Sequence, residues 1–71
     1  MPKTEIYFEV EQEADGGYVA TAIGEAIVTQ ADTLQELRER IKEAVACHFD
    51  DRMEPPHIIR LNFVRREVLS L

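Results

Sequence analysis

The sequence has one cysteine, no tryptophan, three glycines and three prolines in 71 residues. With Cys47 alone, no internal disulfide can form, which excludes the disulfide framework of many small secreted domains. A single thiol also suits a reducing compartment. The scarcity of glycine and proline excludes collagen-like and low-complexity architectures. No apolar run approaches the roughly 18 residues of a membrane-crossing helix. The opening Met1-Pro2-Lys3-Thr4-Glu5 does not carry the long apolar stretch of a signal peptide. A cytoplasmic chain without membrane contact is the expectation. Basic residues are also few, 8 against 14 acidic ones, for a net charge of −6. Such a surplus repels phosphate backbones and argues against direct nucleic-acid binding. It suits a basic protein partner, whose encounter rate it raises, and it also serves plain solubility.

A chain of 71 residues accommodates one domain, here residues 1–71, with no separate DNA-binding domain. A core this small sits near the lower edge of independent stability. Without disulfides, self-association is the available remedy, and a homodimer is expected.

From Glu5 to Glu11 the chain alternates strictly, with Ile6, Phe8 and Val10 on one side and Glu5, Tyr7, Glu9 and Glu11 on the other. A period of two marks a half-buried strand. Asp15-Gly16-Gly17 then supplies a turn, Tyr18 to Ile23 a hairpin partner, and Ala26 to Thr29 a short third strand. Asp32-Thr33-Leu34-Gln35-Glu36 opens a helix with a capping box, in which Thr33 accepts from the first turn and Glu36 reaches back to the cap amide. Leu34, Leu37, Ile41, Ala44, Val45 and His48 share one helical face. Asp50 and Asp51 oppose the helix dipole, and Pro55-Pro56 forbids continuation. Ile59, Leu61 and Phe63 then alternate with Arg60, Asn62 and Val64 as a last strand.

The order β-β-β-α-β predicts an α+β fold with three antiparallel strands, a fourth beside the first, and one helix on one face. Arg60, and Arg66 beyond it, would face Glu5, Glu9 and Glu11 across the first and last strands. The predicted core is Ile6, Phe8, Leu37, Ile41, Leu61 and Phe63.

Two stretches carry a resemblance. Gly16-Gly17-Tyr18-Val19-Ala20, and Val28-Thr29-Gln30-Ala31-Asp32-Thr33-Leu34-Gln35-Glu36-Leu37, together resemble the HicB-like antitoxin domain, whose sequences run roughly "GGYvA…vTqGdTleEa". The likeness covers residues 5 to about 49. It implies a stripped-down ribonuclease H fold without catalytic carboxylates, and a partner that is a small basic HicA-type toxin cleaving messenger RNA. Gly24-Glu25-Ala26-Ile27 stands where the family often has Leu-Pro-Gly-Cys. Full-length antitoxins usually continue into a DNA-binding segment, whereas this chain ends at Leu71. The stretches from Ala46 to Phe49 and from Pro56 to Leu61 look like short stand-alone bacterial relatives, some bearing a name borrowed from 2-oxoisovalerate dehydrogenase. Thiamine-dependent catalysis needs a diphosphate and metal site between large domains, which 71 residues cannot build.

Cys47-His48, with His57 and the loop oxygens of Asp50, Asp51 and Glu54, is the one constellation suggesting a metal or a nucleophile. A zinc site needs three or four converging ligands, and adjacent helical residues diverge by about 100°. The simpler expectation is that His48 packs at the helix end and Cys47 is a small hydrophobe on its flank. A nuclease centre would need carboxylates on the inner face, where the first strand has only Ile6, Phe8 and Val10. No catalytic residue, cofactor or metal is therefore expected. The candidate partner-binding residues are Tyr7, Glu9, Glu11, Tyr18, Ile58, Arg60 and Val64, with Tyr7 as an aromatic anchor. The expected function is a non-catalytic, antitoxin-like module sequestering a small basic RNase. The alternative is an orphan homo-oligomeric HicB-like domain with another partner or a regulatory role.

Overall fold

In the computed structural model, which describes residues 5–50, 56–65 and 67–71, the elements are β1 (Glu5–Gln12), β2 (Tyr18–Ala22), β3 (Val28–Ala31), α1 (Leu34–His48) and β4 (Ile58–Val64). The roles assigned to Met1 to Thr4, Asp51, Glu54, Pro55 and Arg66 fall outside the described residues. The sheet order is β3-β2-β1-β4, so the fourth strand lies beside the first as expected. β1 is antiparallel to β2, β2 is antiparallel to β3, and β4 is parallel to β1. Hence β3 and β4 run the same way at opposite edges, and α1 is the crossover that joins them.

Local chemistry explains each boundary. At the first hairpin Gly16 adopts φ +98, a left-handed conformation that costs glycine little. The Asp15 carboxylate accepts from the Gly17 amide at 3.0 Å and the Glu13 carbonyl from the Gly16 amide at 3.0 Å. The helix starts at Thr33, whose Oγ1 accepts from the Glu36 amide at 3.1 Å. The second half of the capping box is displaced by one residue, because Glu36 Oε1 accepts from the Asp32 amide at 3.3 Å and not from that of Thr33. α1 ends at His48, and Phe49 caps it by donating its amide to the Val45 carbonyl at 3.0 Å.

The third strand begins two residues later than expected. The β-favouring run from Ala26 suggested a strand, but pairing starts at Val28 opposite Thr21. Residues 23–27 form a loop in which Gly24 turns at φ +85 and Ile27 sends its side chain into the core. Burying one large apolar side chain is worth about 1.5–3 kcal/mol, enough to draw Ile27 out of the ladder.

Phe8, Val10, Leu37 and Ile41 are fully buried between sheet and helix, joined by Ile6, Val45 and Phe49. The inner faces of β2 and β3 carry small side chains, Ala20, Ala22 and Ala31, all buried. Small residues let a helix approach closely, and α1 packs over β3 and β2 rather than over β4. The consequence corrects the predicted core. Leu61 is only half-buried against the cluster, and Phe63 is 57% exposed, although its register opposite Val10 puts it on the helix side of the sheet. The helix sits too far toward β3 to cover it.

Candidate functional site

Among the described residues no helix covers the outer face of the sheet, and the strand registers dictate what it displays. Directly opposed residues share a face. Ile58 therefore stands beside Glu5, and Arg60 beside Tyr7. Asn62 lies beside Glu9 and then Thr21 and Val28, while Val64 lies beside Glu11 and then Val19 and Gln30. Apolar groups are interspersed with the carboxylates: Tyr7, Ile23, Val28 and Ile58 are all exposed. Tyr7 and Arg60 are of the residue types enriched where proteins meet, whereas the carboxylates of Glu9 and Glu11 are of the types that such contacts keep to their rims.

One cluster on this face is ordered by its own bonds. Arg60 donates to Glu5 Oε1 from Nε at 3.0 Å and from Nη2 at 2.8 Å. The Tyr7 hydroxyl donates to Glu5 Oε2 at 2.8 Å. Both carboxylate oxygens are engaged, so the phenol and the guanidinium are held in fixed positions. The Arg60 bonds, then the Tyr7 bond, pull the Glu5 carboxyl below the ordinary carboxylate range. The same contacts push the Tyr7 phenol and the Arg60 guanidinium upward, because each gains from the Glu5 anion.

The candidate residues divide between two faces. Tyr7, Glu9, Glu11, Ile58, Arg60 and Val64 share the outer face, as the alternation of β1 and β4 implied. Tyr18 does not join them. Its partners are Gln12 and Ala31, which puts it on the helix side, half-buried against the core. There Tyr18, Val10, Leu34 and Phe63 line a groove of about 590 Å³ in the part of the inner face that α1 leaves open.

Among curated proteins, a UPF0150 protein of Thermotoga maritima is 43% identical over 67 residues, spanning 94% of this chain and 93% of the relative. A UPF0150 protein of Archaeoglobus fulgidus is 50% identical over 50 residues, spanning 70% of this chain and 74% of the relative. The chain belongs to the UPF0150 family. No family model and no solved structure matches it. The name UPF0150 assigns no activity or partner to either relative.

In this UPF0150 domain the cysteine and histidines do not converge. Cys47 is exposed on the helix, whereas the His48 ring turns to Glu25, with Nε2 3.2 Å from Oε2. His48 also meets Phe49 edge-on, with ring centroids 4.9 Å apart. The Glu25 contact escaped sequence reading because it joins residues 23 positions apart, from the β2–β3 loop to the helix end. Among the described residues, no three His, Cys, Asp or Glu side chains come together as metal ligands, and no buried residue is polar or charged. Again among the described residues, no helix is long and apolar enough to cross a membrane. The register of Tyr18 with Ala31 brings the first hairpin turn to the start of the helix. There Asp15, Asp32 and Glu36 line a cleft of about 250 Å³ with Arg40 at its side.

Proposed function

We propose that this UPF0150 chain is a non-catalytic protein-binding module that acts like an antitoxin, sequestering a small basic ribonuclease of the HicA type through the outer face of its sheet. The observation that carries the reading is the uncovered face, where an ordered Tyr7 stands among Glu5, Glu9 and Glu11. The likeness of the turn Gly16-Gly17-Tyr18 and of the capped helix start to HicB-like domains supplies the partner class. A net charge of −6 would steer a basic partner toward the module, and a tyrosine held by its neighbour loses little entropy on contact. Sequestration needs no catalytic group on this chain, since covering the toxin's RNA-binding surface suffices.

The test mixes the purified chain with a HicA-type ribonuclease from the same genome. A stoichiometric complex and arrest of RNA cleavage are expected, with association slowing as salt rises. Glu9→Lys should slow association further without unfolding the domain. Undiminished RNA cleavage in the presence of excess chain sinks the reading.

A further inference from the structure

The strand β4 is an edge of the sheet, and its side chains follow a symmetric order. It lies at one end of the order β3-β2-β1-β4, and its ladder to β1 is unbroken from Ile58 opposite Glu5 to Val64 opposite Glu11. Natural edges are blunted by bulges, prolines, lysines or a covering helix. β4 has no bulge in this register and no proline or lysine, and among the described residues no helix lies over it, since α1 packs on β2 and β3. Its one charge, Arg60, is drawn to Glu5 on β1.

The order of side chains along Ile58-Ile59-Arg60-Leu61-Asn62-Phe63-Val64 is symmetric about Leu61: two apolar residues, a polar one, an apolar centre, a polar one and two apolar residues. A twofold interface requires the same patch to complement itself. Antiparallel pairing centred on Leu61 sets Ile58 against Val64 of the second copy on the outer face. It sets Ile59 against Phe63 on the helix side, Arg60 against Asn62, and Leu61 against Leu61 on the axis. Neighbouring registers are worse. Two residues one way, Arg60 faces Arg60 and Ile58 faces Asn62. Two residues the other way, Arg60 faces Val64 and Ile58 and Ile59 lose their mates. Shifts by an odd number set one sheet face against the other.

We propose that β4 joins a second copy of this chain in antiparallel register about Leu61, making one eight-stranded sheet with both helices on the same side. The exposed Phe63, Ile58 and Val64 then gain apolar neighbours. The outer faces of the two copies become one continuous surface. The pairing concerns an edge, not the outer face, and stands or falls independently of the toxin reading.

Asn62 is the position that tests it. It is exposed, lies beside Glu9 of its own chain, and would oppose Arg60 of the second copy. Asn62→Arg adds a cation beside Glu9, favouring the folded monomer, but creates two symmetric Arg–Arg pairs in the dimer. Sedimentation equilibrium should show a dissociation constant raised about tenfold. Asn62→Glu should do the reverse, tightening the dimer while lowering the melting temperature of the monomer. A substitution that merely disturbed folding would move both quantities together. In a Cys47→Ser background, oxidised Leu61→Cys should cross-link, whereas Ile58→Cys, about 20 Å from the same position of the second copy, should not. A wild-type chain that stays monomeric through the micromolar range overturns the proposal. So does a dimer indifferent to both Asn62 substitutions, or one in which Ile58→Cys cross-links as readily as Leu61→Cys.

Discussion

Glu5 uses its two oxygens for different tasks, one taking both Arg60 donors and the other the Tyr7 hydroxyl. The consequences for ionisation have opposite signs. The Glu5 carboxyl is depressed, so what it contributes to stability is present above its unfolded value and lost as pH falls through the folded one. The Tyr7 phenol is raised above its ordinary 10.0, so its contribution is complete below that value and lost as pH rises through the folded one. The cluster is at the surface, and screening keeps these contributions small. The ionisation itself is directly observable. In a Tyr18→Phe background, the ultraviolet titration of Tyr7 should have its midpoint above 10.0, falling toward 10.0 in Glu5→Gln. Identical midpoints in the two proteins would mean that the phenol does not hold its bond to Glu5 in solution.

At the scale of elements, the helix is specified mostly by local signals. Thr33 satisfies the Glu36 amide, and Glu36 in turn reaches the Asp32 amide and approaches Arg40 Nε to 3.9 Å. Thr33→Ala should lower the unfolding free energy by about 1 kcal/mol, with Thr33→Ser close to wild type in urea denaturation. Equal stability of the alanine variant would remove the cap from the account. Cap, turn and strand alternation were all readable in the sequence because each depends on residues within a few positions of one another. The placement of the helix was not. It follows from Ala20, Ala22 and Ala31, three small residues on two strands whose joint effect appears only once the registers align them. Phe63 matched the alternation and still lies exposed for this reason. Ile27 and Phe49 are buried from a loop and a helix cap, outside any periodic pattern. Of the candidate site, the outer-face set was legible from period two alone. The face of Tyr18 was not legible, because it is fixed by pairing with Gln12 and Ala31.

For the whole molecule, size and shape disagree in an informative way. A compact chain of this length has a radius of gyration of about 11 Å, whereas this one has 13.7 Å and a longest dimension of 52 Å. Beyond β4, Val68, Leu69 and Leu71 are 94%, 84% and 124% exposed, an apolar segment with little contact to the domain. An apolar stretch in water is costly, and the groove lined by Val10, Tyr18, Leu34 and Phe63 reaches Val64 and Arg65 at the end of β4. Two outcomes compete. If the tail stays extended, removing Val68 to Leu71 takes away no packing, and the unfolding free energy of the monomer at submicromolar concentration should change by less than about 0.5 kcal/mol. If the tail folds into the groove, each buried leucine contributes about 1.5–3 kcal/mol and the truncation should be plainly destabilising. The extended arrangement predicts the first result, together with a higher diffusion coefficient for the shortened chain because the drag of the tail is gone. A loss of more than about 1 kcal/mol, with diffusion unchanged, would assign the groove to the tail of its own chain.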